Sequence, residues 1–209
     1  EQFAKIWMHA GMITINGEKM SKSVGNVKSI NHVLDLWGPN VARLFCISGH
    51  YSKPIDYTEE LLKENLIRLR QIETCYYELR LAERQRESED ISSLLDESRE
   101  KFDSALNDDL NTPLGLSIFF NMIKTINNLA ADEKISIKMS EKALPVLEYM
   151  LDVLGIKIQT VSDDEINFVH NLISKRDSLR ERKEFEDADS IRDKIEEMGI
   201  SLIDHKNRT

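Results

Sequence analysis

The feature that most constrains the fold is a run of apolar side chains that recur every three or four residues after Thr58. This spacing places one apolar stripe along a helix, and the stripe must be buried against other elements. Thr58 can cap the helix, and acidic residues favour its first turn. The pattern predicts a helix that reaches about Arg86. Its apolar residues are Leu62, Leu66, Leu69, Ile72, Tyr76 and Leu79.

Similar repeats predict three more helices. In the second of them, Thr112 is the expected cap and Pro113 the first helical residue. The last lies near Ala143–Leu154, although Pro145 leaves its beginning undetermined. Residues 58–155 are therefore predicted to form an antiparallel four-helix bundle. The apolar residues of the first two are Leu94, Leu95, Phe102, Ala105 and Leu106, then Phe119, Met122, Ile123, Ile126 and Leu129.

The sequence before residue 58 has a different pattern, with short apolar runs between glycines. Met12–Ile15 predicts a strand, and Asn16-Gly17 predicts a tight turn because both residues tolerate positive φ. A polar loop follows, then a short helix over Asn31–Trp37 that stops at Gly38-Pro39.

The last third of the chain predicts a linker at residues 156–163 and then a helical hairpin. The hairpin helices are expected at Asp164–Lys183 and Asp187–Met198, with a short strand at Ile200–Ile203. The fold class is therefore mostly α. The predicted domains are residues 1–57, 58–155 and 164–209.

Charge and composition exclude several classes. The net charge of −9 divides into +2 over residues 1–57, −10 over 58–171 and −1 over 172–209, so both ends keep local cations for phosphate. No apolar run is long enough to cross a membrane. Cys46 and Cys75 are too few and too separated for a zinc cluster or disulfide framework. Because the chain opens at Glu1 rather than Met, we expect a fragment.

The most informative stretch is Lys19-Met20-Ser21-Lys22-Ser23, on a loop followed by Gly25. Two lysines three residues apart can approach a polyphosphate and stabilise charge that develops during displacement at phosphorus. By residue chemistry alone, a solvated surface loop remains the alternative.

This stretch resembles the signature loop of the class I aminoacyl-tRNA synthetases, and its surroundings resemble the cysteinyl-tRNA synthetase family. Further similar blocks follow in order along the chain. They are Ser48–Tyr51, Asp56–Glu60, Asn107–Pro113 and the run from Arg180 to Ile200.

The resemblance implies an enzyme that activates L-cysteine with ATP, held as its magnesium complex, and transfers it to tRNA-Cys. It implies that Lys22 binds the ATP phosphates, that Lys19 assists, and that Met20, Ser21 and Ser23 belong to the ATP-binding loop. It also implies a cytoplasmic protein, expected to be a monomer. Residues 1–57 would be the end of the catalytic domain and its stem-contact region.

Two features of the family are missing from the sequence. It contains no His-x-Gly-His motif, and no ligand set for the zinc that the family uses can be assembled. We read His9 and His50 as packed residues rather than metal ligands. A fragment with this sequence is therefore expected not to form the adenylate alone.

The C-terminal hairpin is the second candidate site. Cationic side chains can engage phosphate, an aromatic ring can stack on an unpaired base, and Asp can accept from base amino groups. The resemblance assigns anticodon contacts to Arg180, Phe185, Asp189 and Asp204. A charged, solvated helix face is the alternative.

Two other functions remain open. A cysteine ligase of mycothiol synthesis would share the loop and bundle but needs no anticodon-binding module. A noncatalytic helical interaction module would use the acidic residues 58–171 as a partner surface. The Asn107–Pro113 loop is expected to cap helices rather than to serve tRNA, with Asp108, Asp109 and Thr112 as caps.

Overall fold

The computed structural model describes residues 3–21, 25, 27–82, 90–159, 163–198, 200 and 202. The chain divides into two compact units, Glu1–Lys157 and Ile158–Thr209. Most of the described residues are helical, which confirms the predicted fold class. No helix among them is long and apolar enough to cross a membrane.

Three short strands form a small sheet in the first unit. Strand β1 (Ile13–Ile15) pairs antiparallel with β2 (Glu18–Lys19) and parallel with β3 (Ile55–Tyr57), so β1 is central. The turn between β1 and β2 has φ values of 52° at Asn16 and 78° at Gly17. The predicted strand and turn are confirmed, whereas the sequence analysis did not predict β3.

Helix α1 (Ile30–Ser48) connects β2 to β3 and is broken in the middle. Gly38 has a φ of 75°, and Pro39 begins the second half, so the predicted stop is confirmed as a kink. The second half contacts β3, where the Phe45 ring meets Tyr57 edge-on at 5.8 Å between centroids.

Four further helices form a bundle: α2 (Glu59–Arg80), α3 (Ser92–Asn107), α4 (Thr112–Ala131) and α5 (Ile137–Leu154). Helices α2 and α3 each pack against both α4 and α5, while α1 packs on α2 and α4. The apolar residues predicted for α2 and α4 are buried, except for Leu66, which is half-buried. Helix α2 ends at Arg80 rather than near Arg86, because Leu81 leaves helical geometry.

The predicted cap of α4 is wrong by one residue. Asn111 is the cap, since its side-chain oxygen accepts a hydrogen bond from the Leu114 amide at 3.2 Å. Thr112 is already helical, and its hydroxyl donates to the Gly49 carbonyl at 3.4 Å. An Asn side chain caps as well as Thr does, and the tertiary contact of Thr112 decides between them.

Helix α5 begins earlier than predicted. Ser136 caps it by accepting from the Met139 amide at 3.2 Å, and Pro145 lies inside the helix. The missing amide of Pro145 removes one helical hydrogen bond. The burial of Met139 and Leu147 on the same helix offsets that loss, because packing supplies most helix stability.

The second unit contains the predicted helical hairpin, α6 (Asp163–Glu181) and α7 (Phe185–Glu197). Its buried side chains are Val169, Arg176, Ala188 and Ile195 among the described residues, and the burial of Arg176 was not predicted. Of the predicted strand at 200–203, residues 201 and 203 lie outside the described residues, and Ile200 and Leu202 are not in a strand.

Candidate functional site: the lysine loop and its supports

The β1–β2 hairpin leads directly into the lysine loop, residues 19–29, which runs from the end of β2 to the cap of α1. Lys19 is the last residue of β2, faces Thr14 across the pair and is exposed. Met20 and Ser21 follow and are half-buried. Lys22 and Ser23 lie outside the described residues, so their contacts with ATP stay predictions.

Asp56 ties this hairpin to the neighbouring strand. Its Oδ1 atom accepts hydrogen bonds from the Thr14 hydroxyl at 2.6 Å and from the Gly17 amide at 2.9 Å. These two bonds lower the pKa of Asp56 below its ordinary value. No role for Asp56 was predicted, because nothing local in a three-residue strand shows which turn it supports.

The other end of the loop is fixed by the start of α1. The Ser29 hydroxyl accepts a hydrogen bond from the His32 amide at 3.2 Å and so caps that helix. Between the two supports, Gly25 has a φ of 73°, a conformation that favours glycine. The loop thus crosses from a braced hairpin to a capped helix.

Large apolar side chains flank the loop and are exposed. Trp7 is 69% exposed, and Ile30, at the start of α1, is 62% exposed. Exposed apolar side chains of this size are available for contact with further protein. Others near the N-terminus and in α1 are Phe3, Ile6, Met8, Met12, Leu34 and Leu36.

A polar cluster joins the sheet region to the helical bundle. The Tyr51 hydroxyl donates to Asp109 Oδ1 at 2.7 Å, which raises the pKa of Tyr51. His50 Nε2 lies 3.0 Å from the Asp109 carbonyl oxygen, and His50 Nδ1 lies 2.8 Å from the Ser52 hydroxyl. The prediction that Asp109 caps a helix is therefore wrong. His50 is a packed, hydrogen-bonded residue as expected, whereas His9 is exposed and that part of the prediction is wrong.

Gly11 marks a close backbone approach beside the hairpin. Its amide donates to the Tyr51 carbonyl at 2.7 Å, just before β1. A Cβ atom at Gly11 would overlap the Lys53 carbonyl and lie 2.7 Å from the Pro54 nitrogen. Only glycine fits this position without movement of the backbone.

In the second unit, three of the four predicted anticodon residues lie on the two helices of the hairpin. Arg180 lies in the last turn of α6, and Phe185 begins α7 and is 58% exposed. Asp189 is one helical turn after Phe185 and is exposed, whereas Asp204 lies outside the described residues. Lys183, at the turn, has a φ of 63°.

The part of the chain that the structure describes contains no counterpart of the zinc site that the resemblance implies. There, no group of three His, Cys, Asp or Glu side chains could hold a metal ion. Cys75 is buried, which raises its pKa to about 12 and disfavours the thiolate that binds zinc. The described residues therefore do not fit a zinc site.

Two family models match the sequence. The model of the tRNA synthetases class I (C) catalytic domain matches residues 1–66, and the DALR domain model matches residues 101–159.

Curated relatives match nearly the whole chain, and the two described here are both named cysteine–tRNA ligase. The chain is 33% identical to the protein of Shewanella denitrificans, covering 99% of this chain and 45% of that protein. It is 36% identical to that of Geobacillus sp., covering 97% of this chain and 44% of that protein. The chain thus spans less than half the length of these relatives.

A solved structure shares the fold. It is the ternary complex of LeuRS, tRNA and LeuAMS from Agrobacterium radiobacter, with a TM-score of 0.51 and 14% identity. The match covers 70% of this chain and 22% of that one.

Proposed function

The chain belongs to the cysteine–tRNA ligase family, and we propose that the complete protein activates L-cysteine with ATP and transfers it to tRNA-Cys. By "complete ligase" we mean this chain together with the upstream sequence that its longer relatives carry. One observation supports this function above all. The chain is similar to these ligases over nearly its whole length, and its lysine loop follows a hairpin that Asp56 stabilises by two hydrogen bonds.

The lysine loop has a defined chemical task in this proposal. The cysteine carboxylate attacks the α-phosphorus of ATP, the bond to the β-phosphate oxygen breaks, and pyrophosphate leaves. Negative charge grows on the leaving phosphates, and the ammonium groups of Lys22 and Lys19 stabilise it. Met20, Ser21 and Ser23 shape the loop, and ATP enters as its magnesium complex. No step is assigned to zinc.

The exposed apolar side chains on both sides of the lysine loop in sequence support the same proposal. Side chains such as Trp7 and Ile30 flank the lysines on both sides in sequence and are largely exposed. We propose that the remainder of the catalytic domain covers these side chains in the complete ligase. Residues 1–57 would then form the end of that domain, 58–155 the bundle, and 164–209 the anticodon-binding module of a monomeric, cytoplasmic enzyme.

The test compares the complete ligase with the 209-residue chain. We expect cysteine-dependent exchange of pyrophosphate into ATP, and charging of tRNA-Cys, by the complete ligase only. The chain alone is expected to show exchange no higher than a blank. Transfer of cysteine to an amino sugar instead of tRNA would favour the ligase of mycothiol synthesis. Absence of exchange in the complete ligase would favour a noncatalytic interaction module.

We propose that the hairpin turn of the second unit reads the anticodon. Arg180 would contact phosphate, Phe185 would stack on an unpaired base, and Asp189 and Asp204 would accept from base amino groups. The exposed ring of Phe185, beside the basic turn, supports this assignment. The module suits a tRNA ligase better than the mycothiol enzyme.

Phe185→Ala in the complete ligase is expected to weaken tRNA-Cys binding about fivefold to tenfold, near the lower end of base stacking on aromatic rings. Binding is measured by titration of labelled tRNA at fixed salt. Phe185→Trp should bind at least as well as the parent protein, since its ring is larger. The matched control is Phe168→Ala, which removes another exposed ring of the hairpin and should leave binding unchanged. Equal losses in both Ala variants would contradict the assignment.

A further inference from the structure

Asp56 is a half-buried carboxylate that braces the hairpin from outside it. A single oxygen receives both the Thr14 hydroxyl on β1 and the Gly17 amide in the turn. We propose that Asp56 is a positioning residue for cysteine activation, which holds the hairpin so that Lys19 and the lysine loop reach ATP. The role of Asp56 rests on the proposed function and adds a residue to it.

The hairpin needs a brace because it is small. Strand β2 has two residues, and an isolated two-stranded hairpin is at most marginally stable. Thr14 stands opposite Lys19 in the β1–β2 pair and opposite Asp56 in the β1–β3 pair. Asp56 and Lys19 are therefore aligned with the same residue of β1, one on each side of it.

Strand β3, which carries Asp56, is packed against α1. Asp56 lies between Ile55 and Tyr57 in β3, and the buried Tyr57 ring packs on Phe45 of α1. Hydrogen bonds to an ionised acceptor are roughly twice as strong as neutral ones, so an aspartate holds the turn better than an amide would. Strand β3 therefore contacts α1 through Tyr57 and the turn through Asp56.

The expected consequence is specific to one half-reaction. The lysine loop stabilises charge on the phosphates during adenylate formation, whereas transfer to tRNA starts after pyrophosphate has left. A displacement of about 1 Å in a catalytic group can cost about 100-fold in rate. Loss of the brace should therefore slow activation and spare transfer.

The test uses the complete ligase with Asp56→Ala and Asp56→Asn. We expect Asp56→Ala to lower the kcat of pyrophosphate exchange about 10- to 100-fold with the KM for cysteine unchanged, and Asp56→Asn to lower it less. Transfer from preformed cysteinyl-adenylate to tRNA-Cys should stay at the parent rate in both.

The matched control is Asp90→Asn in the bundle. Asp90 Oδ1 also accepts from a hydroxyl and an amide, those of Ser92, at 2.6 Å and 3.1 Å, and it contacts Lys142 at 3.0 Å. It lies outside the sheet, so its loss should leave activation intact. Activation in Asp56→Asn equal to that in Asp90→Asn would overturn the positioning role.

Thr14 variants keep the test decisive if Asp56→Ala does not fold. Thr14→Val removes one donor to Asp56 and should lower exchange, while Thr14→Ser keeps the hydroxyl and should restore it. Equal slowing of activation and transfer would indicate a merely structural role and overturn the inference. An inactive parent enzyme would instead refute the proposed function. In that case, faster hydrogen exchange at the Gly17 amide in Asp56→Ala would still show that Asp56 stabilises the turn.

Discussion

Replacing Lys22 with alanine in the complete ligase is expected to lower cysteine-dependent pyrophosphate exchange by about 100- to 1000-fold, the usual effect of losing one preorganised group that stabilises developing charge. Lys22 would meet the phosphates as they gain charge, so the loss should fall on kcat rather than on the KM for cysteine. Initial rates over a range of cysteine and ATP concentrations measure both constants.

Two companion variants show whether the loss comes from Lys22 itself. Lys22→Arg keeps the charge but replaces a compact ammonium with a rigid fork, so it should recover only part of the rate. Lys28→Ala removes an exposed lysine of the same loop that lies nearer α1, and it should leave exchange unchanged. Undiminished adenylate formation by Lys22→Ala would count directly against the role assigned to this lysine.

Local patterns in the sequence predict the helices of this protein well. The apolar repeat of α2 and the cap at Thr58 depend on residues three and four apart, and the Thr58 hydroxyl indeed accepts from the Leu61 amide at 3.2 Å. The Asn16-Gly17 turn is equally local. Each of these signals lies within one element, so no knowledge of the tertiary fold is needed to read it.

The brace of the lysine loop could not be predicted in the same way. Strand β3 has three residues and pairs in parallel with a strand about forty positions earlier, across the whole of α1. The bond between Thr14 and Asp56 exists only because of that pairing. Family resemblance marked the segment around Asp56 but supplied no contact for it. The candidate site was thus identified from its lysines, while its support required the structure.

The contact between Asp109 and Tyr51 shows the same limit. An acidic residue before a helix is normally read as a cap, and that interpretation was wrong at this position. The Asp109 carboxylate instead accepts a hydrogen bond from Tyr51, which lies 58 residues earlier in the sequence. Caps and tertiary contacts compete for the same side chains, and only the folded arrangement decides between them.

Gly11→Ala is expected to destabilise the first unit by an amount at or above the upper end of the ~1–3 kcal/mol typical of overpacking. The added methyl group would overlap the Lys53 carbonyl, which is backbone and cannot rotate away as a side chain could. Relief requires the chain before β1 to move, which breaks the bond from the Gly11 amide to the Tyr51 carbonyl. The free energy of unfolding of the 209-residue chain, from urea denaturation, measures the effect.

Gly49→Ala is the matched control because it adds the same methyl group at a nearby glycine, which follows α1 and faces Ile55 of β3. Gly49 has an extended backbone, with a φ of −105°, and its Cβ would meet the Ile55 side chain at an ordinary 3.6 Å. Its cost should stay within about 0.5 kcal/mol, as for most substitutions that create no clash. Hydrogen exchange at the Ile55 amide, which donates to the Met12 carbonyl at 3.1 Å, should quicken in Gly11→Ala alone. Equal stabilities and exchange rates in the two variants would mean that the backbone approach at Gly11 does not hold β1 against β3, and with it the hairpin that presents Lys19.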